Sequence, residues 1–331
     1  MFIIQTYSTA IIFCVITMLC WGSWANTQKL ALKTWRFELF YWDYTIGILI
    51  FSILSAFTLG SYGTNGRSFI NDISQANISH VGSAMLGGVI FNAANILLVA
   101  AISIAGMSVA FPVGIGIALV LGVIVNYYDK PDGNSAFLFA GVGLIIIAII
   151  LNAVAYRKMS SGNQTTIKGL LLSAIAGILM GFFYKFVSQS MFLNFNVPEN
   201  GKLSPYTAVV FFSVGIFLSN FIFNTMVMRR PFIGSPVLMS DYFKGSIKNH
   251  FTGILGGVIW CLGMSFNIIA SGKTSPAIAY GLGQGATVVA AIWGIFVWKE
   301  FNNASKATTL IIALMLAFYI AGLAMIIITK I

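Results

Sequence analysis

The 331-residue sequence predicts an all-α polytopic membrane protein with ten transmembrane helices, built as two inverted five-helix repeats. Three observations carry that prediction. The chain is 58% hydrophobic and only 8% charged, with mean hydropathy +0.92, whereas a soluble domain carries roughly 25% charged residues. Ten runs supply the roughly 20 apolar residues that a spanning helix needs. One glycine-bearing motif recurs at a fixed offset in the two halves of the chain.

The expected spans are taken in order. Span 1, residues 6–26, follows an N-terminus with no positive region and no small-residue cleavage site, so it reads as a retained helix rather than a signal peptide. It ends in a concentrated polar stretch: Trp21, Trp24, Asn26, Thr27, Gln28 and Lys29. Span 2, residues 39–60, is preceded by Glu38 and holds Asp43 between Trp42 and Tyr44. Span 3, residues 81–103, carries Asn92 and Asn95 on one face, and span 4 covers 106–127. Span 5, residues 136–156, and span 10, residues 307–328, are the plainest. They suit a structural or assembly role, including a face for a second copy of the chain. Span 6, residues 168–190, contains Lys185 and the GxxxG pair Gly177 and Gly181, which suits close helix packing. Span 7, residues 206–228, carries Asn220 and Asn224. Span 8 covers 251–271, and span 9, residues 276–298, reads as one helix with Gln284 between Gly283 and Gly285.

Charge orients these spans. Lys29, Lys33, Arg36, Arg157, Lys158, Lys168, Arg229, Arg230, Lys244, Lys248, Lys299 and Lys306 fall on one side. Arg67, Lys130, Lys202, Lys273 and Lys330 fall on the other, with Lys185 inside a span. The positive-inside rule makes the first side cytoplasmic and both termini external, in the plasma (bacterial inner) membrane. The net charge of +10 is therefore loop charge and does not point to nucleic acid. Cys14, Cys20 and Cys261 all lie in apolar runs, which makes neither a disulfide framework nor a metal site.

The repeat sets the organisation. Leu86-Gly87-Gly88-Val89-Ile90 recurs as Leu255-Gly256-Gly257-Val258-Ile259, 169 residues later. The same offset pairs Ala110, Gly114 and Gly116 with Ala279, Gly283 and Gly285. Residues 1–160 and 161–331 are thus the expected halves. Five spans is an odd number, so the halves insert in opposite senses. Inverted repeats of this kind mark alternating-access transporters, with a site near the midplane where the repeats meet.

These residues also resemble a known superfamily. The ten-span plan resembles the drug/metabolite transporters. Cys20-Trp21-Gly22-Ser23-Trp24 with Asn26-Thr27-Gln28-Lys29 looks like the glucose/ribose porters and the L-rhamnose–proton symporter of that superfamily. The stretch Leu86–Tyr128, ending Asn126-Tyr127-Tyr128-Asp129-Lys130, is similar to plant ureide permeases. The resemblance implies secondary transport of a small polar metabolite, commonly coupled to protons. A sugar such as ribose or glucose is the leading solute, and a ureide, nucleobase or amphipathic drug is the alternative.

Candidate residues follow from polarity inside apolar runs, since ionisable groups are costly there and usually face a cavity or a partner. Asp43 is the expected proton-coupling group, because a carboxyl in an apolar setting can pass between neutral and charged states. The structural alternative is an interface pairing with Lys29 or Lys33. Glu38, nearer the water boundary, is a second coupling candidate with a simple solvated role as its alternative. Lys29 and Lys185 are candidate charge partners, although Lys185 is close enough to its helix end to reach the surface. Trp21, Trp24, Asn26, Gln28, Asn92, Asn95 and Gln284 are the expected solute-binding set. Amides supply both donors and acceptors and indoles offer flat faces. Interhelical hydrogen bonding is the competing reading for the amides, including Asn220 and Asn224. His80 and His250 read as interface residues on opposite membrane faces.

Other functions are disfavoured. Gly272-Lys273-Thr274 has Asn267 where a phosphate loop needs glycine, and Gly281-Leu282-Gly283-Gln284-Gly285 lacks the third glycine of a dinucleotide fingerprint. No cofactor is expected. The spans hold no cluster of acids, histidines or nucleophiles that would make an intramembrane enzyme. The expected partners are the small-molecule solute, the proton and membrane lipid.

Overall fold

A computed structural model describes residues 1–31, 35–105, 107–159, 167–299 and 301–330. Lys33, Gly106 at the start of span 4 and the expected boundary between the halves at 160 and 161 lie outside the described residues. The chain folds as helix α1 (Tyr7–Ser23), the short α2 (Asn26–Leu30), α3 (Phe37–Phe57), α4 (Phe69–Gln75), α5 (Ile78–Ala105) and α6 (Met107–Asp129). There follow α7 (Ser135–Met159), α8 (Ile167–Ser190), α9 (Pro205–Arg229), α10 (Met239–Phe243) and α11 (Ile247–Thr274). The last part comprises α12 (Pro276–Gly283), α13 (Ala286–Ile292), a π-helical turn (Trp293–Val297) and α14 (Lys306–Ile327). Among the described residues the protein is all-helical, apart from one isolated bridge between Met191 and Leu203.

Eight helical stretches are long and apolar enough to cross a membrane, and two further apolar helices, Tyr7–Ser23 and Val113–Asp129, are shorter. The protein is thus an integral, multi-pass membrane protein. Helix starts follow the local sequence. Thr6 caps α1, accepting from the Thr9 N–H at 3.2 Å, and Ser246 and Ser305 do the same for α11 and α14. Ser204 caps α9 with Pro205 as its first residue, where a missing N–H costs nothing.

Two expected spans are not single helices. Span 1 stops at Ser23, turns at Trp24 and Ala25, and resumes as α2. Span 9 is broken at Gln284 and Gly285 between α12 and α13, then loosens into the π-helical turn. The second break is packed closely: a side chain on Gly283 would run into Trp21, and one on Gly285 into Met18 and Leu323, so glycine is needed on both sides of Gln284.

Helix contacts depend on glycine. In a membrane the apolar effect does not drive helices together, so close backbone approach and van der Waals packing must do it. A Cβ on Gly88 of α5 would strike the backbone of Phe212 and Ile216 in α9, and one on Gly257 of α11 would strike Tyr44 and Ile48 in α3. Gly47 of α3 likewise faces the Ile254 carbonyl, and Gly215 of α9 faces the Met85 carbonyl. These contacts interchange on shifting every residue by 168 or 169 positions. Accordingly α5 packs on α8 and α9, α11 packs on α1 and α3, and α7 packs on α14.

This packing reverses a usual rule. Glycine to alanine inside a helix normally stabilises by about 0.5–1 kcal/mol. Gly88→Ala and Gly257→Ala should instead destabilise the folded protein by roughly 1–3 kcal/mol, as overpacking does. Gly143→Ala, where a Cβ meets open space, should not. Thermal unfolding of the three variants in detergent checks this, and an unchanged Tm for Gly257→Ala would contradict it.

Candidate functional site

Residues flanking the two helix breaks line a central cavity of about 100 Å³. Trp21 and Trp24 reach it from the end of α1 and its turn. Gln284, Ala286, Thr287 and Ala290 reach it from the broken α12–α13 segment. Phe91, Asn95 and Leu98 come from α5, Ile115 from α6, Met180 and Phe183 from α8, and Trp260 from α11. Every lining side chain is uncharged, so the cavity offers flat aromatic faces and a few amide and hydroxyl groups rather than a counter-charge.

The aromatic wall is ordered by mutual contact. Trp21 stacks on Trp260 with ring centres 5.8 Å apart, and its indole N–H donates to the Trp260 carbonyl at 3.2 Å. Phe91 packs against Trp260 at 4.4 Å and edge-on to Phe183 at 5.2 Å. Phe91 and Trp260 each directly follow one copy of the repeated pentamer, 169 residues apart. Two residues equivalent in the repeat therefore touch at the cavity wall. Neither was singled out in the sequence, although the residue after each pentamer was available as a signal.

The two asparagines of α5 separate in role. Asn95 lines the cavity and donates to the Tyr41 hydroxyl at 3.1 Å. Tyr41 in turn donates to Asn92 Oδ1 at 2.9 Å. Asn92 is fully buried and spends its amide N–H groups on the Ile216 carbonyl and Ser219 Oγ of α9. Asn92 thus ties α5 to α3 and α9 behind the cavity, and Tyr41 relays that anchor to Asn95. Asn220 and Asn224 also face α3, donating to Thr45 Oγ1 at 3.4 Å and to the Glu38 carbonyl at 2.8 Å.

The polar end of span 1 is held elsewhere. Asn26 donates to the Ser23 carbonyl and accepts from Trp298 Nε1 at 2.7 Å, while Trp293 Nε1 donates to Ser23 Oγ at 2.8 Å. Lys29 Nζ sits 4.2 Å over the Trp298 ring. Asn26 and Lys29 therefore fasten the α1–α2 break to the end of the π-helical turn. Gln28 and the half-buried Lys185 are not among the residues that line the central cavity.

The acids are also placed differently from the simplest expectation. Glu38, expected near water, is buried and forms an ion pair with Arg36, whose Nε lies 3.1 Å from Oε2. Arg36 also donates to the carbonyls of Ile233 and Ser235 in the segment before α10. Asp43 is 1% exposed and is met by His250 rather than by Lys29. His250 Nδ1 lies 3.0 Å from both carboxyl oxygens, and the Tyr242 hydroxyl donates to Oδ1 at 2.6 Å. His250 is thus a partly exposed residue that also belongs to a network closing over the buried Asp43. Its 207-residue separation from Asp43 hid the pairing from the sequence. His80 lies at the start of α5, bonded through its backbone to Asn77. No group of three or more metal-ligating side chains occurs among the described residues.

Comparison with known proteins points in one direction. A family model described as Ureide permease matches residues 40–168 and 155–329. Ureide permease 1 of Arabidopsis thaliana is 23% identical, with 97% of both chains covered. Ureide permease 4 of the same plant is 24% identical, with 98% of both chains covered. The glucose uptake protein GlcU of Bacillus subtilis (strain 168) is 24% identical over 82% of this chain and 83% of its own. A crystal structure aligns with TM-score 0.59 at 13% identity over 96% of both chains, a likeness of fold alone.

The two α5 asparagines should respond oppositely to replacement. Asn92→Leu leaves the Tyr41 hydroxyl without its acceptor and Ser219 Oγ without its donor and should lower stability by about 1–3 kcal/mol. Asn95→Leu should keep Tm close to wild type and weaken solute binding. Thermal unfolding beside equilibrium binding of a labelled solute reads both, and the reverse pattern would remove Asn95 from the site.

Proposed function

This chain belongs to the ureide permease family, and from that premise we propose that it carries a small, uncharged polar solute across the membrane by alternating access. That it is a membrane transporter of small solutes follows from the family. The finer reading is ours. The two halves, 1–160 and 161–331, are inverted repeats of five crossings each, and the broken spans 1 and 9 bring their least regular backbone to the solute. Helices interrupted at the midplane are the usual way such carriers present polar groups inside lipid.

The contact between Phe91 and Trp260 is the observation that carries this reading. Residues related by an internal repeat meet only near the pseudo-symmetry axis, which is where a carrier of this architecture holds its solute. The uncharged lining supports a neutral solute that stacks on Trp21 or Trp260 and bonds to Asn95, Gln284 and Thr287. Ureides and nucleobases fit that combination of flat faces and amides, and family membership puts them ahead of sugars. A sugar is the second reading, favoured by the similarity to GlcU.

Proton symport is the coupling we propose, with Asp43 as the carboxyl that changes charge and favours the loaded state when protonated. Glu38 carries an arginine partner and is assigned a structural part. The loops rich in lysine and arginine face the cytoplasm, and both termini lie outside, in the plasma membrane.

Proteoliposomes test this directly. Labelled allantoin, uracil, ribose and glucose are offered with and without an imposed pH gradient. Accumulation of one of them that collapses with the gradient is the expected result, and Asp43→Asn should reduce it to equilibration. Gradient-driven accumulation that survives in Asp43→Asn would exclude the assigned coupling residue.

A further inference from the structure

Three acids are buried among the described residues: Glu38, Asp43 and Asp72. Asp72, in α4, pairs with Arg67 at 2.8 Å, and Arg67 also donates to the carbonyls of Glu199 and Lys202. Glu38 pairs with Arg36, which reaches the segment before α10 in the same manner. A guanidinium keeps its charge throughout the physiological range, so both pairs act as permanent clamps between loops. Asp43 alone among the three is met by a histidine, the side chain whose ordinary titration falls between about pH 5 and 8.

We propose that Asp43, His250 and Tyr242 form a single proton-binding latch, fastening α3 to α11 and α10 and releasing them when a proton is taken up. The proposal rests on the transporter reading and names how its coupling acts. Three elements converge on the one carboxyl. Asp43 packs against Gly253, one turn beyond His250 on α11. Tyr242 brings α10 to the same oxygen, with its ring 4.7 Å from the imidazole. Trp35, just before α3, closes the imidazole edge-on at 5.3 Å.

Few other charges compete at this place. From α11, Lys248 is exposed; from α9, the uncharged Asn220, Phe221, Asn224 and Met228 face α3, and Arg229 and Arg230 are exposed at its end. From α10, Asp241 is held below its ordinary range by the Leu238 N–H and by Lys244, so it stays ionised. Burial, followed by the hydrogen bond and charge of Asp43, pushes the Tyr242 phenol above its ordinary value, so it remains a donor. On α3 itself, Glu38 is already satisfied by Arg36.

With one proton on the pair, the imidazolium Nδ1–H serves both carboxyl oxygens. A second proton, taken from hydronium at the quarter-exposed His250 side chain, forms an O–H bond on Asp43 as the hydronium O–H bond breaks. No other covalent bond breaks. The imidazolium then faces a neutral acid and loses its ion pair, so α10 and the start of α11 are no longer drawn to α3.

Spin labels at Lys244→Cys, beside α10, and Lys158→Cys, at the end of α7, read the latch in the reconstituted full chain without any solute. The distance between them should lengthen between about pH 8 and about pH 5, the range over which histidine-linked switches act. His250→Gln, which removes the cation of the pair, should abolish that transition, and Asp43→Asn should hold the longer distance at both values. Tyr242→Phe should keep the transition but move its midpoint to higher pH, since the carboxylate loses a donor that favours its ionised form. A pH-independent distance in the wild type, or a transition unchanged in His250→Gln, overturns the latch even if proton-driven uptake is observed. A pH-dependent distance that needs His250, in a protein that moves no solute, would instead leave the latch standing and defeat the transport reading.

Discussion

The architecture depends on backbones that approach one another without side chains between them. Lipid tails are as apolar as leucine, so the helices gain nothing from hiding apolar surface from each other, and packing must supply the association. Gly47, Gly88, Gly215 and Gly257 supply it at two crossings, α5 on α9 and α3 on α11, that map onto one another through the internal repeat. With α5 and α11 pinned at Gly88 and Gly257, Phe91 and Trp260 are fixed three residues further on, ring against ring. The cavity wall is in this sense a consequence of the crossings.

The breaks in spans 1 and 9 complete the site. An unbroken helix presents only side chains, since its backbone groups are all spent internally. Turning at Trp24 and at Gln284 places polar groups at depth while Asn26, Ser23, Trp293 and Trp298 hold the loosened ends in register. Around this neutral centre the three buried carboxylates stand apart, each in its own ion pair. Two of these are held by arginine and one by histidine, which separates permanent clamps from the proposed switch.

Much of this could be read from the residues, though unevenly. Composition and loop charge made the membrane class plain, because a bilayer imposes length and polarity on every span. Asp43 stood out as an acid in an apolar run, and Gln284 as an amide between two glycines. Trp21, Trp24, Asn95 and Gln284 do meet at one cavity. Asn92 and Asn95 could not be told apart, since a shared helix face does not say which amide is consumed by Tyr41 and Ser219. Phe91 and Trp260 looked like ordinary apolar residues, and only their meeting across the repeat makes them notable. The interruption of span 9 was also hidden, because its hydropathy is that of a continuous helix and the close packing of Trp21, Met18 and Leu323 on its glycines is a tertiary contact.

The central claim is that the solute sits where the two halves meet, against Trp260. Equilibrium binding of labelled allantoin, uracil, ribose and glucose to the purified protein, with and without Trp260→Ala, addresses it most directly. Saturable binding of one solute to the wild type, lost in a Trp260→Ala protein that remains folded, is the result the account predicts. Saturable binding that is unchanged in that variant would contradict it.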